Sequence, residues 1–225
     1  MLEEINNATE QVKTNTSKPY ILGIIIGLIS LFVLLLIFSL LIKKINSRNK
    51  EIKDNLSNFK SEIKDELIRT SHIISNSNVI NAFNYFYKPN NYKFSTESML
   101  LTGKALYLVQ PVDIDYGEVN GDALNYEWEN ITDKKTVIVP NQVTLINKSC
   151  NNLNMILPNG VPIIMILVFR NKIILNIDNL VDYISLVNLE NLADNIINID
   201  KELETEIDFE TKNKIVENIN KYRLK

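Results

Sequence analysis

The chain has one cysteine, Cys150, one histidine, His72, and one tryptophan, Trp128, in 225 residues. A single thiol excludes an intrachain disulfide, and this cysteine usage agrees with a reducing compartment. His72 has no second histidine or cysteine nearby in sequence, so it reads as a solvated side chain rather than a zinc ligand. A strong basic balance is also missing. The formal charge is −3 and the isoelectric point about 5.4, so nucleic-acid binding would need a local patch. Lys far outnumbers Arg, and Asn and Ile are abundant, a pattern like AT-rich coding bias that leaves many Asn residues uninformative.

What the chain does have is one long apolar run. Residues Ile21 to Ile42 read ILGIIIGLISLFVLLLIFSLLI without a charge. At 1.5 Å rise per residue, about 22 helical residues match the roughly 30 Å hydrocarbon core of a bilayer. The run is longer than the hydrophobic stretch of a signal peptide, and Lys43-Lys44 follows it, so an uncleaved span is expected. A soluble core helix would not be apolar on every face for six turns. Lys43, Lys44, Arg48, Lys50 and Lys53 follow the span, whereas Lys13 and Lys18 precede it beside Glu3, Glu4 and Glu10. The positive-inside tendency then puts residues 1–20 outside and the remaining chain in the cytoplasm.

Residues 43–75 show helical periodicity at Ile45, Ile52, Leu56, Phe59 and Ile63, interrupted at Asn49, Glu66 and Thr70. This predicts an amphipathic stalk. It could self-associate as a short coiled coil, pack on its own domain, or lie along the membrane surface. Residues 76–98 are Asn- and Tyr-rich with a turn signal at Lys88-Pro89-Asn90-Asn91, and read as a linker leading into the domain. Their aromatics, Phe83, Tyr85, Phe86 and Tyr87, lack interleaved Arg and read as packing rather than base stacking.

From Met99 the pattern changes. Apolar runs at Ala105–Val109 and Thr136–Val139 predict strands, with turns at Asp115-Tyr116-Gly117 and Asn120-Gly121-Asp122. A helix is predicted over Gln142–Leu157, closed by Pro158-Asn159-Gly160. Pro162–Phe169 is apolar at nearly every position, as a strand covered on both faces requires. Further strands are expected at Lys172–Ile177 and Tyr183–Val187, and a helix at Leu189–Ile199. The order indicates an α/β sheet sandwiched by helices. The tail, residues 200–225, starts acidic and ends basic around a stripe of Phe209, Ile215, Val216, Ile219 and Tyr222, which suits a docked helix or a partner-binding one.

The run VPNQVTLINKSCNNLNMILPNGVPIIMILVFRNKIILNI, followed by VDYISLVNLENLADNI, resembles the carboxy-terminal half of the nuclease-related domain family, NERD. Leu106 to Gln110, then Gly117-Glu118-Val119-Asn120-Gly121 and Trp128, are similar to that family's strand, Gly-x-Ile-x-Gly hairpin and Trp. The resemblance covers residues 99–199 and implies a restriction-endonuclease-like mixed sheet with flanking helices. Such folds cleave phosphodiesters with an Asp on one strand and Glu-x-Lys on the next, the carboxylates holding Mg²⁺ and the Lys supporting the nucleophile.

This chain departs from that pattern. Gln110-Pro111-Val112 stands where Glu-x-Lys belongs, Ser98 stands near the place of the Asp, the family's additional helical Glu has no counterpart, and the Asn-Pro helix opening is reversed to Pro140-Asn141. A neutral Gln competes poorly for a hard cation, and Val cannot donate. A relocated metal site could be built from Asp113, Asp115 and Glu118 if the strand continued, because alternation would put the two aspartates on one face. Against this, Asp115-Tyr116-Gly117 has ordinary turn chemistry. Trp128 reads as a core anchor of the hairpin.

The expectation is therefore a single-pass membrane protein with a degenerate, non-catalytic NERD-like binding or scaffold domain, residues 99–199. No catalytic, cofactor or metal residue is assigned. The expected partners are the bilayer through Ile21 to Ile42, a second copy through the stalk, another protein, or nucleic acid, the last without support from the charge. The alternatives are a membrane-tethered nuclease with the relocated acidic site and a structural adaptor whose stalk and tail bind proteins.

Overall fold

The structure, a computed structural model, describes residues 2–87 and 92–224, with side chains from Ile24 onward except Ile25 and Ile29. The turn expected at Lys88–Asn91 lies outside the described residues. The chain is mixed α/β, with a long apolar amino-terminal helix and mixed sheets. It divides into two compact units, Met1–Asn55 and Leu56–Lys225.

The first unit is helical, the greater part of α1 (Leu2–Ile73). Its most apolar window has a mean hydropathy of 2.7 and none of that window is buried, so it is long and apolar enough to cross a membrane. Leu34, Phe38 and Leu40 are each more than half exposed, which is costly in water and favourable in lipid.

The second unit is built on a five-stranded sheet in the order β1-β4-β5-β9-β11. These strands are Asn78–Ile80, Met99–Leu101, Leu106–Pro111, Ile163–Phe169 and Ile184–Asn188. β1, β4 and β5 run antiparallel, whereas β9 is parallel to β5 and β11 parallel to β9. The central strands are buried on both faces, and successive side chains enter separate cores. Met99, Leu101, Leu106, Leu108, Met165, Leu167 and Phe169 join one core, with residues from α2 (Gln142–Asn154) and α4 (Phe209–Tyr222). Leu100, Tyr107, Val109, Ile164, Ile166 and Val168 join the other. That second core is covered by Phe59, Ile63 and Leu67 at the end of α1 and by Leu192 and Ile196 of α3 (Leu192–Glu202). The stalk stripe from Phe59 onward is thus taken up by the chain's own sheet, while Ile45 and Ile52 in the first unit are exposed.

The stretch expected as linker and domain entry is largely β-structure. β1 pairs with β4, and β2 (Phe83–Tyr87) forms an antiparallel hairpin with β3 (Tyr92–Thr96). Its aromatics pack, with the Tyr85 and Phe94 rings stacked at 4.4 Å. Burial pushes the Tyr85 hydroxyl far above the usual tyrosine value.

A second sheet has the order β10-β6-β7-β8, comprising Ile173–Asp178, Gly117–Asp122, Glu127–Ile131 and Thr136–Pro140. Asn120-Gly121-Asp122, expected as a turn, is the end of β6. Gly121 serves close approach rather than turning, since a Cβ there would lie 2.3 Å from Trp128 Cδ1. The chain reverses after Asp122, where Asn125 N donates to Asp122 O at 3.2 Å. Trp128 is buried and its Nε1 donates to Asp122 O at 3.0 Å. The reversed Pro140-Asn141 has a local reason: Asn141 is the N-cap of α2, accepting from Val143 N at 2.8 Å, while its amide nitrogen donates to Ala123 O at 2.9 Å.

Two outcomes follow. Gly121→Ala should drive the added methyl into the indole and lower unfolding free energy by about 1–3 kcal/mol, read by chemical denaturation. Asp208 caps α4, and the Thr211 amide and hydroxyl hold its carboxyl below the usual aspartate value. A depressed folded-state value means stability present above the unfolded aspartate range and lost as pH falls through the folded value. Asp208→Ala should therefore lower the melting temperature at pH 7, by an amount that shrinks as the pH is taken down to 3.

Candidate functional site

β5 leaves the doubly covered region at Gln110, and there a cavity of about 470 Å³ opens in the second unit. Four elements wall it: Lys60 from α1, the β3 segment from Tyr92 with the following Glu97, the β5 exit through Asp113, and Leu145, Lys148, Ser149 and Asn152 of α2. The volume lies within the usual range for small-molecule sites.

The register explains the grouping. Met99 faces Leu108, and Val109 N donates to Ser98 O at 3.1 Å, so the pairing continues past β4 and sets Glu97 beside Gln110. Adjacent antiparallel strands thus deliver Glu97 and Gln110 to one cavity, whereas Ser98 does not line it. Glu97 was not singled out from the sequence. A period-two count back from Met99 was the available signal, because residues 97, 99, 108 and 110 share a face once strands 4 and 5 are paired.

Lys60 Nζ lies 2.5 Å from Glu97 Oε1, and both side chains are partly buried. The carboxylate is therefore already engaged by a cation. Asp113 and Asp115 flank Arg170, which follows β9: Nε lies 3.1 Å from Asp115, and a terminal nitrogen 3.9 Å from Asp113. The Arg170 side chain is 17% exposed, and its guanidinium carbon sits 4.4 Å from the Phe59 ring centroid, a cation–π arrangement.

The strand does not continue through Asp115. β5 ends at Pro111, Val112 N donates to Val168 O at 2.8 Å, and a tight turn follows in which Ile114 N donates to Val112 O. Glu118 is held elsewhere, on β6, accepting from Asn176 Nδ2 at 2.7 Å. Asp113 and Asp115 thus converge on an arginine, and Glu118 does not join them. Among the described residues no group of three or more His, Cys, Asp or Glu side chains is placed to hold a metal ion. Gln110 and Pro111 line the cavity and Val112 is buried. His72 is exposed at the end of α1.

At the opposite end of β5, Thr102 Oγ1 and Tyr107 Oη both donate to Asp200 Oδ1, at 2.7 and 3.1 Å. Burial and the neighbouring carboxylate raise the Tyr107 hydroxyl far beyond the usual tyrosine value. This network ties α3 to the β4–β5 turn and has no part in the cavity. Burial likewise pushes the Cys150 thiol up, away from the reactive thiolate form.

No protein-family model, curated protein or solved structure matches the chain.

Replacing Arg170 with Ala should uncover Phe59 and leave two aspartates facing each other, costing about 2 kcal/mol of stability by chemical denaturation. Arg170→Lys should recover only part of this, since an ammonium cannot both stack and fork.

Proposed function

We propose that this is a single-pass membrane protein whose folded domain has a restriction-endonuclease-like, NERD-related core and acts in the cytoplasm as a binding module rather than a nuclease. Support for the core comes from the element order. β4 and β5 are adjacent antiparallel strands, the arrangement that lets a residue before one meet the end of the other, and α2 then leads to a doubly buried β9 ending Val168-Phe169. Lys43, Lys44, Arg48, Lys50 and Lys53 after the apolar stretch support the cytoplasmic orientation.

The observation carrying the non-catalytic reading is the charge pairing at the β5 exit. Phosphodiester hydrolysis on such a sheet needs free carboxylates around a hard cation and a lysine beside the attacked phosphate. Here the glutamate is neutralised by Lys60, the two aspartates face Arg170, and the position after Pro111 is the buried aliphatic Val112. A metal ion would have to displace a cation from each carboxylate. Fold and chemistry are separable, and a scaffold can keep its binding surface after losing its reaction.

The full chain in lipid nanodiscs should leave single- and double-stranded DNA and RNA intact with millimolar Mg²⁺ or Mn²⁺. Metal-dependent cleavage that disappears in Asp113→Ala would instead establish a membrane-tethered nuclease with a relocated site.

A further inference from the structure

We infer that the cavity at the β5 exit binds a small phosphorylated ligand, held by Lys93 and Lys148 with Lys60 released from Glu97, and oriented by the amides of Gln110 and Asn152. This rests on reading the domain as a binding module and names what it binds.

Three lysines from three separate elements, α1, β3 and α2, line one cavity. Such convergence is not dictated by any one element's pattern. Both lining carboxylates already face cations, Glu97 at Lys60 and Asp113 at Arg170, so the cavity's carboxylates do not cancel Lys93 and Lys148. Neither of those lysines has a carboxylate partner among the described residues. Lys93 Nζ sits 5.9 Å from the Phe86 ring centroid, a weak contact that an anion could supplement.

The second observation is independent of charge. Asn152 is only 8% exposed and lines the cavity, so it adds a polar side chain to the α2 wall. The Asn152 amide atoms are not sealed from solvent, so they can donate to and accept from a ligand in the cavity. Gln110 on β5 presents a second amide to the same cavity. Ammonium groups carry three donors each and suit phosphate oxygens, while the amides suit the polar remainder of the ligand. The Lys60–Glu97 pair then acts as a placeholder, the carboxylate occupying the cation until phosphate competes for it.

The test uses the full chain in phosphatidylcholine nanodiscs, titrated with inorganic phosphate, ATP and adenosine by calorimetry. Phosphate and ATP should bind, more weakly as salt is raised. Adenosine should bind much more weakly than ATP. Lys93→Gln with Lys148→Gln, both at exposed positions that leave the fold intact, should weaken ATP binding at least about tenfold, whereas Lys135→Gln on the distant β8 side should not. Discs containing a phosphatidylinositol phosphate separate the two sources of this chemistry: competition with ATP assigns a lipid headgroup, and its absence assigns a soluble ligand. The inference is overturned if neither phosphate nor ATP binds at millimolar concentration, if adenosine binds as tightly as ATP, or if the lysine variants bind as well as the parent. Metal-dependent cleavage of nucleic acid would overturn the non-catalytic reading whichever way these titrations came out.

Discussion

Burial of β5 and β9 on both faces is the constraint on which the second unit depends. A strand with apolar residues at every position needs two covers, and each cover must present its own apolar stripe. The end of α1 and α3 supply one. α2, α4 and the residues Val119, Trp128 and Ile173 of the second sheet contribute to the other. Losing either cover would expose a complete row of aliphatic side chains, so the helices are less decoration on the sheet than the condition for its existence.

The cavity is a consequence of where that double cover ends. Side chains beyond Val109 on β5 no longer meet a continuous apolar wall, and polar groups from the covering elements converge there. Lys60 follows immediately after Phe59, so the helix that seals one core also brings a cation to the rim. Arg170 follows immediately after Phe169 in the same way, closing β9 with a charge that stacks on Phe59 and faces two aspartates. Packing thereby sets the electrostatics of the site: charged residues adjacent in sequence to core anchors have little freedom in where they point.

Much of the sheet was legible in the chain. The near-continuous apolar run at Pro162–Phe169 announces a central strand, and the structure has it at Ile163–Phe169. The α2 helix was readable from its stripe, though it ends at Asn154, three residues short of expectation, because Met155 to Leu157 close the last turn. The strands between residues 78 and 96 were not legible, since short, Asn-rich segments carry weak periodicity and gain their strand character from pairing with β4 and with each other. Gly121 misled for a related reason. Glycine next to Asn and Asp is a turn signal, but here the missing side chain makes room for the Trp128 indole, a partner seven residues on. Glu97 has no motif signal along the chain, because the cavity groups residues by strand register and not by sequence order.

From residue order alone, the chain specifies a membrane-length helix, its basic flank and an α/β pattern, because each is a local property of composition or spacing. Which charges meet was settled by strand pairing and helix docking. Lys60 with Glu97, Arg170 with Asp113 and Asp115, and Glu118 with Asn176 join residues between 37 and 58 positions apart. No periodicity encodes such pairs, since they arise only when separate elements are closed onto the two cores of one sheet.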